Sequence, residues 1–164
     1  MIKTPILTFT TALTLSLTSA SAGTTKIYLG TQGRGESKGI YLCDLNTETG
    51  ALSKPKLAAT LSGCGFLAIH PSKKYLYSTA RGDGNQVAAF HIRDDYSLNP
   101  INLQPSEGTG PCHVSLDATG SCLMVANYGS GSVAALGYSY CRRISSALPS
   151  RSESFTDQVL RRSC

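Results

Sequence analysis

The chain has 164 residues, 41% hydrophobic and 15% charged, with a formal net charge of +5. That length holds one domain with a modest core, and because no Lys/Arg cluster is interleaved with aromatic residues, a nucleic-acid partner is not expected. Sixteen glycines and eight tyrosines, with no tryptophan, separate and fill short β-branched and aromatic runs, which points to an all-β chain.

The N-terminus has the layout of a targeting segment. Met1-Ile2-Lys3 is a short positive start, residues 6–17 are an apolar run softened by Thr, and Ala20-Ser21-Ala22 precedes Gly23. Residues 1–22 are expected to be a secretory signal peptide cleaved near Ala22-Gly23, making the mature chain a periplasmic or secreted protein. The run is too short and too rich in Thr for a spanning helix. No later stretch is apolar enough either, so no membrane span is expected after cleavage.

Residues 26–31 (Lys-Ile-Tyr-Leu-Gly-Thr) predict the first strand, followed by a polar Gly-rich loop that carries Arg34. Residues 39–45 predict the second strand, and Asn46 to Gly50 a tight turn. Further strands are expected at 57–61, 66–69, 75–79 and 87–92. A Pro71-initiated turn separates the fourth from the fifth, and a loop with Arg81 and Asp83 precedes the sixth. The stretch from Gly110 to Val133 reads as strand, turn, strand, Gly-rich turn, strand. After residue 22 no segment keeps a helical period for more than two turns.

These strands repeat. Val114 lies 47 positions after Leu67, Leu116 after Ile69, Leu123 after Leu76, Met124 after Tyr77 and Gly129 after Gly82; Ile40 and Cys43 lie 47 before Val87 and Phe90. A period near 47 residues holding about four short strands is the size of one β-propeller blade. A blade cannot bury both its faces alone, so each must stack on its neighbours. The expected fold is therefore all-β: a partial β-propeller of a little over two four-stranded antiparallel blades across residues 23–137.

The pattern stops at Gly137. Residues 138–164 hold seven Ser and five Arg with little alternation, which reads as a disordered or frame-shifted tail. On that reading the chain is the N-terminal third of a longer parent, whose missing blades would be its partners.

Gly110-Pro111-Cys112-His113-Val114-Ser115 and Val125-Ala126-Asn127-Tyr128-Gly129-Ser130-Gly131-Ser132-Val133 resemble motifs of the seven-bladed propeller lactonase family, which includes the propeller-type 6-phosphogluconolactonases. The resemblance covers about residues 26–136. It implies a ring of seven blades, about 330 residues at this period, and hydrolysis of a sugar lactone with no cofactor and no metal. The next blade of the family carries a further His-containing motif, and nothing here matches it. The alternative is a non-enzymatic, exported propeller binding module of the YVTN-repeat type, because Tyr75-Leu76-Tyr77-Ser78-Thr79-Ala80 fits that grammar nearly as well.

A propeller binds ligands at the mouth of its central channel, at the entry ends of the innermost strands. His113 begins such a strand and is the candidate catalytic acid–base. Asn127, Tyr128 or an Arg would supply a donor to the tetrahedral oxyanion. Arg34 and Arg81, in Gly-rich loops at equivalent blade positions, would hold a phosphate or carboxylate. Asp94, Asp95 and Asp117 sit in turns, where Asp binds backbone N–H groups, and Asp83 between glycines suits a turn. Cys43 and Cys122 align with Phe90 and Tyr75 and are expected to be buried as small hydrophobes. Cys64 and Cys112 occupy nearly equivalent bends where a bridge is one option, but spacing does not fix the pairing.

Overall fold

The computed structural model describes residues 23–82, 84–138 and 144–147. The expected signal peptide and its cleavage point, Asp83, Cys141, Cys164 and most of the Ser/Arg-rich segment lie outside the described residues.

Eleven strands form three antiparallel meanders, with no helix among the described residues. The first sheet holds β1 (Thr24–Gly30), β2 (Gly39–Asn46) and β3 (Lys56–Thr60). The second holds β4 (Leu67–Ile69), β5 (Tyr75–Ala80), β6 (Gln86–Ile92) and β7 (Leu98–Pro105). The third holds β8 (Pro111–Leu116), β9 (Cys122–Asn127), β10 (Ser132–Tyr138) and β11 (Ile144–Ala147). Strand partners recur from sheet to sheet at spacings of 46 to 49 residues: Ile40 pairs with Gly30, Val87 with Thr79 and Val133 with Ala126. By that register β1, β5 and β9 are equivalent, as are β2, β6 and β10. The first sheet has no counterpart of β4 and β8, the edge strands of the other two, which lie against each other.

The sheets stack face to face, and the middle one is covered on both sides. In β5, Leu76 and Tyr77 are both fully buried. Leu76 joins Ile40, Cys64, Ala80, Ala88, Phe90 and Leu98 in the core between the first two sheets. Tyr77 joins Val87, Ala89, Val114, Leu123, Val125 and Leu136 between the second and third. A strand buried on both faces needs no polar alternation, which is why Val87-Ala88-Ala89-Phe90 is a continuous apolar run. Each large side chain buried this way contributes about 1.5–3 kcal/mol. The stacking contacts are therefore what hold the individual sheets in place. An outer strand alternates instead: in β9, Leu123 and Val125 are fully buried while Met124 between them is 39% exposed.

Two strands were not foreseen. β7 contains Pro100 and Pro105, yet it forms the edge of its sheet, where a missing N–H is tolerated. Its register shifts between Ala89 and Phe90, and Phe90 pairs with Pro100. β11 lies beyond the Gly137 limit drawn from the repeat and pairs with β10 through Leu136↔Ala147 and Tyr138↔Ile144. Cys43 is buried as expected, but Cys122 is only half-buried. The Cys64–Cys112 bridge is not formed: both thiols are free, and Cys64 Sγ lies 3.0 Å from the Thr31 carbonyl.

Candidate functional site

Every connection in a meander falls at one of two ends, and the repeat assigns them consistently. The loops after β1, β5 and β9 and the starts of β4 and β8 share one end, here the loop end. The loop end is cross-braced. Thr79 N–H donates to the Phe66 carbonyl and Thr79 Oγ1 accepts from Phe66 N–H. Gly110 N–H donates to Asn85 Oδ1 at 2.8 Å, tying the second sheet to the third. Asn85 holds a left-handed backbone, φ 47°, a conformation that Asn tolerates better than most residues.

All five residues singled out from the sequence lie at this loop end. His113 is exposed, near the start of β8. Its ring contacts Phe66, with centroids 4.0 Å apart and planes tilted 46°. Phe66 stands 47 residues before His113, so the two rings hold the same repeat position on neighbouring edge strands. That equivalence is legible in the sequence, where Phe66 by itself reads only as a strand residue. Arg81 follows β5 directly; it is exposed, and its N–H donates to the Gly63 carbonyl. Gly63 has φ +70°, and a Cβ there would lie 2.7 Å from the Arg81 backbone nitrogen, so only Gly permits this approach. Arg34 is exposed in the first loop, its carbonyl accepting from Ser37 N–H and Oγ–H. Tyr128 is 83% exposed, and its N–H donates to the Gly110 carbonyl.

Asn127 differs from the other four. It is 2% exposed, and its amide Nδ2 donates to the Ser106 carbonyl at 2.9 Å. A Cβ at Gly108 would meet that Nδ2 at 2.5 Å, so the loop is moulded around the amide. Asn127 thus braces the 106–110 segment, and this donor is already engaged.

The opposite, turn end has a different chemistry. A cleft of about 480 Å³ there is lined by Lys26, Tyr28, Ile69, His70, Lys73 and Tyr96, among others. Lys26 Nζ pairs with Asp44 at 2.5 Å and sits 5.6 Å from the centre of the Tyr96 ring. Tyr28 O–H donates to the Tyr96 carbonyl at 2.7 Å. Burial, with the nearby Tyr96 and Asp95, pushes the Tyr28 phenol up to about 12. The predicted residues are not in this cleft. Among the described residues no group of three or more His, Cys, Asp and Glu is placed to hold a metal ion.

Three face-stacked antiparallel meanders with paired inner edge strands define the chain as a β-propeller portion. The family model for the seven-bladed β-propeller lactonases matches residues 26–148, and the chain belongs to that family. It is 43% identical over 108 residues to a 6-phosphogluconolactonase of Bacillus subtilis, covering 65% of this chain and 31% of that protein. Identity to a 6-phosphogluconolactonase of Formosa agariphila is 33% over 94 residues, 55% of this chain and 27% of the other. The chain thus spans about a third of the length of the curated relatives it matches. Among solved structures, a Bacteroides fragilis protein assigned as a 6-phosphogluconolactonase superposes with a TM-score of 0.70 at 26% identity, over 79% of this chain and 36% of its own. The periplasmic gluconolactonase of Pseudomonas aeruginosa shares the fold, with a TM-score of 0.71 at 22% identity over 80% of this chain and 39% of its own.

Proposed function

We propose that the chain contributes the acid–base half of a sugar-lactone hydrolase site and carries it at the loop end. The observation that supports this most directly is the exposed His113 imidazole at the start of an inner edge strand, seated against Phe66. As a neutral base, His113 takes a proton from water as the water oxygen attacks the lactone carbonyl. The tetrahedral oxyanion is met by Tyr128. The imidazolium then returns the proton to the ring oxygen as the C–O bond breaks, leaving the open hydroxy acid. Arg34 and Arg81, exposed at equivalent loops, hold a phosphate or carboxylate of the substrate. Three sheets enclose no channel, so turnover by this chain alone is expected to be slow. The signal-like pattern of residues 1–22 favours export, where an unphosphorylated lactone is as accessible a substrate as a phosphorylated one.

The test is a pH-stat assay of residues 23–164 on 6-phosphogluconolactone and on glucono-1,5-lactone, corrected for spontaneous opening. The wild type is expected to exceed the background, and His113→Ala to lose about a hundredfold of that excess. Equal excess rates for wild type and variant would remove His113 from the reaction. No excess on either lactone would refute hydrolysis by this chain. Arg81→Ala is expected to raise KM for the phosphorylated lactone only.

A further inference from the structure

We infer that Phe66 and Thr79 are positioning residues for His113: buried Thr79 clamps the Phe66 backbone, and the Phe66 ring holds the imidazole in the orientation that proton transfer needs. The inference rests on the reading of His113 as the acid–base group. Thr79, in β5, is 1% exposed. Its N–H donates to the Phe66 carbonyl at 3.1 Å, and its Oγ1 accepts from the Phe66 N–H at 3.2 Å. The same hydroxyl donates to the Gly63 carbonyl at 3.4 Å. Both backbone polar groups of Phe66 are thus tied to one buried residue of the neighbouring strand. The ring therefore leaves an anchored backbone just ahead of β4.

His113 is the repeat equivalent of Phe66, but it has no such clamp. The equivalent of Thr79 on β9 is Ala126, which has no hydroxyl. Instead, the pairing of β8 with β9 shifts register between Pro111 and His113. A bulge of this kind re-aims the side chain beside it. Cys112 and His113 are accordingly both exposed between buried Pro111 and Val114, where strict alternation would turn one of them inward. The imidazole so aimed lies against the Phe66 ring, with centroids 4.0 Å apart. Among the described residues the imidazole makes no hydrogen bond, so the ring contact is what orients it. Both ring nitrogens stay open to water and substrate. A side chain without such a contact samples several staggered rotamers, and proton transfer slows steeply when the transferring group is misplaced.

The test compares the full wild-type chain with Phe66→Leu, Phe66→Tyr, Thr79→Val and Thr79→Ser, each checked for native circular dichroism. One readout is independent of turnover: the NMR order parameter of the His113 imidazole, from carbon relaxation. It is expected to fall in Phe66→Leu and Thr79→Val. It is expected to keep the wild-type value in Phe66→Tyr and Thr79→Ser, which retain the ring and the hydroxyl. With glucono-1,5-lactone as substrate, kcat is expected to fall about tenfold at unchanged KM in the first pair and to stay within about twofold of wild type in the second. Phe66→Leu decides the matter if Thr79→Val loses its native circular dichroism. An imidazole that stays as ordered in Phe66→Leu as in the wild type overturns the inference, including where kcat falls only with the amount of folded protein. So does a loosened imidazole with unchanged kcat, which leaves His113 in its acid–base role and removes the positioning alone. A wild type that exceeds the background on no lactone, yet keeps an ordered imidazole, refutes the hydrolase reading and takes the positioning role with it.

Discussion

The two ends of the stack use histidine in opposite ways. His70, at the turn after β4, is 3% exposed and bonded at both ring nitrogens. Ser72 N–H donates to Nδ1, so Nδ1 is the acceptor and Nε2 carries the proton it donates to the Gly120 carbonyl, 3.2 Å away in the next sheet. His113, at the loop end, is exposed and touches an aromatic ring. A ring whose nitrogens are both committed inside the protein braces two sheets. One that meets solvent remains available to a water or a substrate. The two histidines thus differ in whether the ring is committed inside the protein or open to solvent.

The sharpest way to break the contrast is at the turn end. Gly120 has φ +70°, and a Cβ there would lie 2.2 Å from His70 Nε2. Gly120→Ala must both strain the backbone and expel the imidazole from the carbonyl it serves. A loss of about 3 kcal/mol is expected, seen as a fall in Tm of roughly 10 °C. His70→Ala removes the same brace without the backbone strain and is expected to cost about 2 kcal/mol. His113→Ala, measured beside it by urea denaturation, is expected to change stability by less than about 0.5 kcal/mol. Equal costs for the two histidines would erase the distinction between the ends.

Much of this contrast was legible in the residues. The repeat put His113 at the entry end of an inner strand and Arg34 and Arg81 in equivalent loops, because strand phase alone decides which connections share an end. What phase does not report is whether a polar side chain faces water or its own backbone. Asn127 and Tyr128 are neighbours in one motif, yet one braces Ser106 and the other is 83% exposed. The Ser106 carbonyl that claims Asn127 belongs to a segment 21 residues earlier, and no local pattern announces it. β7 was hidden for a related reason: its prolines argue against a strand until the strand is known to be an edge. The turns themselves were visible, but not the inter-sheet reach of His70, whose counterpart 47 residues later is Asp117. There the carboxylate stays within its own turn, held below the usual range chiefly by the Thr119 hydroxyl and also by Cys122 N–H.

A smaller effect sharpens the electrostatics of the turn end. Tyr28→Phe deletes the hydrogen bond to the Tyr96 carbonyl and is expected to cost about 1 kcal/mol at neutral pH. The wild type also carries a pH signature. The folded phenol ionises near 12, above the ordinary value of 10.0, mainly because burial disfavours the phenolate. Between these values the unfolded chain holds fewer protons than the folded one, so stability falls as pH rises. Its contribution is complete below pH 10 and is lost progressively toward pH 12. Urea midpoints of the wild type are thus expected to drop across that window, and those of Tyr28→Phe to drop less. Parallel curves would show that Tyr28 is not the group responsible.

The smallest expected effect reverses the sign and turns the repeat on itself. His70–Lys73 and Asp117–Gly120 are equivalent turns, each closed by the N–H of its fourth residue on the carbonyl of its first: Lys73 to His70 at 2.7 Å and Gly120 to Asp117 at 2.9 Å. Both fourth residues are left-handed, with φ 58° at Lys73 and 70° at Gly120. Glycine enters that region freely, whereas an ordinary side chain is strained there by about 1–2 kcal/mol. Part of the relief is cancelled because glycine loses more freedom on folding, by about 0.5–1 kcal/mol. Lys73→Gly is therefore expected to stabilise the chain by about 0.5 kcal/mol, read as a small rise in urea midpoint at unchanged slope. Lys73 is solvent-exposed and only its amide N–H serves the turn, so the gain should survive high salt. A loss of stability instead would mean that the lysine side chain contributes to the turn-end cleft more than its backbone conformation costs.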